Sequence, residues 1–151
     1  MIEPAALQQF ISHWWYAYDN ALYTEWPAMF TEDAHFVCRT DTGQTDYEEF
    51  VRADVSGRDA VLAWQTAHRK GSPSPLRHNA ENVHFVSAGG DEAAFRSYIW
   101  VTQIVGGTPS PLSTARVTGT VRSTDGQLAF SELVVILDTE ESTVLGDRRI
   151  S

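Results

Sequence analysis

The chain has 151 residues, a formal net charge of −9 and 42% hydrophobic residues, including five Trp, seven Phe and five Tyr. That is enough for one domain with a single core, and the composition is globular, not disordered. The acidity leaves no basic patch to neutralise phosphates, which argues against nucleic-acid binding, and the single cysteine, Cys38, excludes an internal disulfide and a cysteine-based zinc site.

Leu7, Phe10, Ile11, Trp14 and Tyr18 recur at three- and four-residue steps and form one apolar helical stripe, with Pro4 suited to its first turn. Ile11, Trp15 and Asp19 form a second row along the edge of that stripe. A second short helical stretch carries Leu22, Trp26, Met29 and Phe30, and Pro27 requires it to start near Glu25 or to kink. Thr31-Glu32-Asp33 reads as a turn, Ala34 to Thr40 as a strand, and Asp41 to Tyr47 as a loop. Ser56 to Lys70 reads as a third helix with Ala60, Leu62, Ala63 and Ala67 as its apolar face.

Gly71-Ser72-Pro73-Ser74-Pro75 is a break, and the period then changes to two. Strands are expected at Asn82–Ala88, Glu92–Val105, Thr114–Arg122 and Leu128–Leu137, with turns at Gly89-Gly90-Asp91 and Thr124-Asp125-Gly126 and a loop over Gly106–Pro111. On the long strand Phe95, Ser97, Ile99, Val101 and Gln103 share one face, and Arg96, Tyr98, Trp100 and Thr102 the other. Helices first and an antiparallel meander after them give an α+β layout, with helices packed on one side of a curved sheet. The chain is read as a single domain over 1–151, with residues 1–3 and 139–151 as flexible tails. No segment has the form of a signal peptide or approaches a membrane span, so a cytoplasmic protein is expected.

The chemistry centres on Asp19, at the end of the first helix, and His78, far downstream. A carboxylate that holds an imidazole makes a general base near neutral pH. Asp19 has a second reading, as a turn residue in Asp19-Asn20 facing water, and His78 a second reading as a structural histidine. His13, His35 and His68 read as solvated, and His84 as turned away along a strand. His35, His78 and His84 lack zinc-site spacing, so no metal is expected. No phosphate-cradling glycine loop, nucleophile elbow or dinucleotide fingerprint is present, so no cofactor is expected.

In order and spacing, the segments Tyr18-Asp19, Met29-Phe30-Thr31-Glu32-Asp33-Ala34, His78-Asn79-Ala80-Glu81-Asn82-Val83, 90–98 and 121–126 resemble the SnoaL-like branch of the nuclear transport factor 2-like superfamily. The resemblance spans about Leu7 to Leu137. It implies a cone-shaped α+β barrel with a pocket at the wide end, assembled as a dimer or trimer. Scytalone dehydratase and gamma-hexachlorocyclohexane dehydrochlorinase, in that superfamily, are similar at positions matching Asp19 and His78. The implied roles are an Asp19 that steadies the imidazole and a His78 that abstracts a proton. This chain departs from them at Trp14, where the dehydrochlorinase has a lysine, at Leu133, where it has an arginine, and at Cys38, where scytalone dehydratase has a second tyrosine. Gly126-Gln127 replaces a common Gly-Trp.

The expected function is therefore a cofactor-independent lyase, dehydratase, isomerase or cyclase on a small hydrophobic, aromatic or polyketide-like molecule. The alternative is a non-catalytic hydrophobic ligand-binding protein or a small structural subunit of a larger enzyme. Candidate pocket residues are Trp15, Tyr18, Arg96, Tyr98, Trp100, Arg116, Thr118 and Glu132, with Arg116 also readable as an outward strand residue. Because the long strand is apolar on both faces, either Ile99 and Val101 or Tyr98 and Trp100 must meet another surface, and a homodimer through the sheet is expected.

Overall fold

The computed structural model describes residues 1–139 and Ser142. Helix α1 covers Pro4–Asp19 and is followed by a 3-10 turn at Trp26–Met29. Strand β1 (Phe30–Thr40), helix α2 (Glu48–Val51), strand β2 (Ala53–Ser56) and helix α3 (Arg58–Gly71) come next. Four long strands complete the order: β3 (Leu76–Gly89), β4 (Glu92–Val105), β5 (Thr108–Thr124) and β6 (Gln127–Leu137). The six strands form one curved sheet in the order β2-β1-β6-β5-β4-β3. Every neighbouring pair is antiparallel except β1 and β6, which run parallel. The helices pack on the inner face of this open mixed sheet, the α+β arrangement expected.

The apolar stripe of α1 does what its spacing dictates. Leu7, Ile11, Trp14 and Tyr18 are buried, and Pro4 sits in the first turn. Ile2, read above as part of a loose start, is buried in the same core. The helix ends at Asn20, whose side-chain Nδ2 donates to the Tyr16 carbonyl at 2.9 Å. Two further terminal carbonyls accept from Arg69: Nε to Tyr18 O at 3.2 Å and Nη2 to Asp19 O at 2.9 Å. A cation at a helix C-terminus is favourable there, and this one ties α1 to α3.

Several element boundaries differ from expectation. Thr31-Glu32-Asp33 belongs to β1; the pairing with β6 slips between Phe30 and His35, so these polar residues sit on a strand irregularity and not in a free turn. Ser56 ends β2, and α2 and β2 have no counterpart in the periodicity because each is only four residues long. Strand β3 begins at Leu76, well before Asn82, so His78 lies inside it. The loop expected over Gly106–Pro111 contracts to a turn at Gly106-Gly107, both with positive φ. The buried side of α3 carries Val61 and Gln65, not Ala60, Ala63 and Ala67. Of the expected C-terminal tail, only Thr139 and Ser142 fall within the described residues.

Gly119 shows how tightly the inner face is filled. It pairs with Phe95 across β4 and β5, and a Cβ there would stand 2.7 Å from the Phe95 ring and 2.8 Å from the Glu132 carbonyl oxygen. Backbone cannot yield as a side chain can. Gly119→Ala should therefore destabilise the fold by about 1–3 kcal/mol. An unchanged urea midpoint in this variant would show that the sheet relaxes freely at that point.

Candidate active site

His78 is set on an edge strand. β3 ends the sheet on one side, so alternate backbone N–H groups have no strand partner. The His78 N–H points at the end of α1 and donates to Asp19 Oδ2 at 2.7 Å. The imidazole Nδ1 lies 2.6 Å from Asp19 Oδ1. One carboxylate thus holds both the backbone and the ring of one residue, and Asp19 is only 5% exposed. The turn reading of Asp19 is thereby replaced: it faces inward. Trp15 stacks on the His78 ring at 4.7 Å and 9°, and Tyr18 meets it edge-on at 5.4 Å and 88°. With Nδ1–H donated to the carboxylate, Nε2 is left as the bare nitrogen. It makes no hydrogen bond to any described residue.

The ring forms part of the wall of a cavity of about 430 Å³. That volume suits a small molecule of a few fused or linked rings. The sheet supplies Phe36, Cys38, Ile99, Val101 and Val135; α1 supplies Trp15 and Tyr18; α3 supplies Trp64, Gln65 and His68. Among the described residues no Lys, Arg, Asp or Glu lines it. Burial pushes the Cys38 thiol up to about 12, with Glu48 adding to the shift, so it remains a neutral thiol.

His68, read above as solvated, belongs to this wall. Its Nδ1 and the Tyr18 hydroxyl lie 2.6 Å apart and share a hydrogen bond, and its ring stacks on Trp64 at 4.6 Å and 12°. Burial, and after it the neighbouring His78 and Arg69, lowers its pKa from 6.5 to about 4. Burial likewise raises Tyr18 well above the usual phenol value. Both groups are neutral at pH 7.

The His68 shift carries a sign. Between about pH 6.5 and 4 the unfolded chain protonates this histidine and the folded chain does not. The unfolded state then binds more protons, so stability is fully present above 6.5 and is lost as pH falls through about 4. The loss attributable to His68 should reach up to roughly 3 kcal/mol, less for its partial exposure. His68→Phe should remove that part of the slope in urea melts at pH 7 and pH 4.5. Equal losses in both proteins would assign the slope to other groups.

Of the candidate pocket residues, Trp15 and Tyr18 line the cavity. Arg96, Tyr98, Trp100, Arg116, Thr118 and Glu132 do not; all six are exposed on the outer face of β4, β5 and β6. Strand parity explains this, since Phe95, Ser97, Ile99 and Val101 take the inner face. His13 pairs with Glu25 at 2.7 Å and His35 with Asp54 at 2.7 Å, both in solvent, and His84 is exposed. Trp14 and Leu133 are core residues. Gln65 and His68 were missed. Their signal was the row Val61, Trp64, Gln65, His68 at three- and four-residue steps, which polar members disguised.

The SnoaL-like domain family matches residues 3–134. No curated protein matches the sequence. Among solved structures, the chain is similar to the beta subunit of benzoate 1,2-dioxygenase from Burkholderia mallei ATCC 23344, at 18% identity, covering 91% of each chain with a TM-score of 0.71. It is similar to a candidate scytalone dehydratase from Novosphingobium aromaticivorans DSM 12444, at 18% identity over 89% of this chain and 83% of that one, TM-score 0.70. A nuclear transport factor 2-like protein with a cystatin-like fold from Novosphingobium aromaticivorans is similar at 16% identity over 91% and 82%, TM-score 0.69. At such identities the likeness is one of fold. No helix among the described residues is long and apolar enough to cross a membrane.

Proposed function

The chain belongs to the SnoaL-like domain family, in the nuclear transport factor 2-like superfamily, and on that premise we propose that it is a cofactor-independent lyase or isomerase acting on a small, largely apolar molecule. One observation carries the reading: Asp19 clamps both the backbone and the Nδ1 of His78 on the wall of an apolar cavity. Nε2 then takes a proton from a carbon next to a carbonyl, and Asp19 steadies the imidazolium. The proton returns to another carbon, or it leaves with a group expelled from the adjacent carbon. Trp15 and Tyr18 hold the ring in place and give the substrate apolar surface.

Deuterium uptake tests this. Bicyclic aromatic ketones in D₂O should exchange the hydrogens beside the carbonyl faster with the protein than with His78→Ala, read by NMR. Equal rates for both proteins across the series would overturn the reading. The likeness to a dioxygenase beta subunit supports a second one, a non-catalytic ligand-binding or structural subunit. A purely structural subunit has no need of a clamped imidazole beside open space, and equal exchange rates would favour it.

The same reading includes a homodimer through the outer sheet face. Tyr98 is 54% and Trp100 50% exposed, while Ile99 and Val101 are buried beneath the helices. Of the two pairs expected to need a partner surface, the aromatic pair is the one left open. A two-fold contact would cover it with itself. Sedimentation at micromolar concentration should report a dimer, and Trp100→Glu a monomer; a monomeric parent protein would sink this part.

A further inference from the structure

We propose that the substrate is an uncharged carbonyl compound whose oxygen is received by the side-chain amide of Gln65; this rests on the reading of Asp19 and His78 as a base. Gln65 is 4% exposed, on the cavity wall of α3, one turn from His68. Its amide makes no hydrogen bond to any described residue. Buried amides are normally paired. The described buried side-chain atoms sealed without a partner are Trp14 Nε1, Trp26 Nε1, His68 Nε2 and Ser97 Oγ. The Gln65 amide is not among them, so it keeps open space beside it, and that space is the cavity. Tyr47, Ser72, Ser74, Gln103 and Ser113 also line the cavity, but each is half-buried or exposed, so Gln65 presents the most deeply buried unengaged pair of N–H donors on the wall.

The charge of the ligand follows from what is missing around it. No Lys or Arg among the described residues lines the cavity, so a carboxylate or phosphate would be buried without a counter-charge. Arg96 and Arg116, on the outer face, cannot supply one. A neutral ketone or ester meets no such penalty. Its chemistry also needs what Gln65 offers. When His78 Nε2 takes the proton, the C–H pair becomes a C=C bond and the carbonyl pair moves onto oxygen. That oxygen gains charge and must be held by donors already in place. Tyr18 and His68 are engaged with each other, Ser72 Oγ donates to the His68 carbonyl, and the Cys38 thiol is a weak donor. Tyr47, Ser74, Gln103 and Ser113 are less buried than Gln65 and so keep more access to water. The proton on His78 is then returned to another carbon, or it joins a departing hydroxide as water.

The test compares 1-tetralone, its hydrocarbon tetralin and 1-naphthoate as ligands for the full chain, by quenching of tryptophan fluorescence. Trp15 and Trp64 line the cavity and report occupancy. The wild-type protein should bind the ketone about tenfold tighter than either competitor, the discrimination one good hydrogen bond supplies. Gln65→Leu should reduce the preference over tetralin to about twofold or less, and the red shift of the bound ketone's carbonyl stretch should vanish with it. His78→Ala should keep both the preference and the shift, which separates this proposal from the dyad: exchange can fail while the ketone preference stands. A wild-type protein that binds no ketone, favours naphthoate or does not discriminate overturns the proposal even if Gln65→Leu fails to fold. So does a folded Gln65→Leu that discriminates as well as its parent.

Discussion

His78→Ala should lower turnover by about 10²–10⁴-fold, the range a positioned general base supplies, with the fold intact. The ring borders open space, so its removal enlarges a cavity that already exists and does not hollow a packed core. Trp15 loses a stacking partner, but the Asp19 bond to the backbone N–H of residue 78 survives. Asp19→Asn should cost activity by a similar factor for another reason. Both carboxylate oxygens accept N–H groups. An amide has one oxygen and one NH₂, so one of those donors meets another donor. If the ring loses, it flips tautomer and Nε2 carries the hydrogen it ought to receive; if the backbone loses, the edge of β3 loosens. Asp19→Asn should therefore also cost stability, about 1–3 kcal/mol. Single-turnover exchange rates and urea midpoints on both variants separate the two effects. Full activity in both would mean that neither residue takes part.

How much of this was readable beforehand depended on which force set each feature. The α1 stripe and the inner face of β4 follow from periodicity, and periodicity is written in the sequence. No local period joins Asp19 to His78, and that pairing was implied only by the family resemblance. The outer-face residues Arg96, Tyr98, Trp100, Arg116, Thr118 and Glu132 were misread as pocket groups because polarity on a strand says only which residues share a face. It does not say which face the helices will cover. Helix α3 misled in the opposite direction. Ala60, Ala63 and Ala67 suggested an apolar face, but alanine is small enough to sit in water at little cost. Gln65 and His68 turn inward because a cavity, not a core, lies beneath them, and a cavity tolerates polar groups that a packed interior rejects. The β1–β6 parallel pairing was invisible for a third reason: it joins segments nearly a hundred residues apart, and no local signal encodes it.

Trp14→Ala should be among the most damaging core substitutions, at about 3–5 kcal/mol. Trp14 is 0% exposed and meets Phe30 edge-on at 4.9 Å, Trp26 at 5.6 Å, Tyr18 at 5.8 Å and Phe130 at 6.2 Å. It thus joins α1, the 3-10 turn, β1 and β6 in one contact set. Truncation leaves a void among rings too rigid to close it. Since domains of this size are stable by about 5–15 kcal/mol in total, the variant should lie close to its unfolding threshold at physiological temperature. Trp14→Phe should behave differently. It keeps an aromatic edge toward the same neighbours and removes Nε1, a buried donor with no partner. Relief of that unpaired group offsets part of the lost ring, so the cost should fall below half that of the alanine change. Denaturant midpoints of the three proteins decide the point. If Phe costs as much as Ala, the unpaired N–H contributes nothing and packing volume alone governs. If Ala melts with the wild type, Trp14 is not the centre of the core. The functional consequence follows along the same helix: Trp14 braces Tyr18 and its neighbour Trp15, the two rings that hold His78. The folded fraction of Trp14→Ala should exchange ketone hydrogens more slowly than the wild type, whereas Trp14→Phe should not.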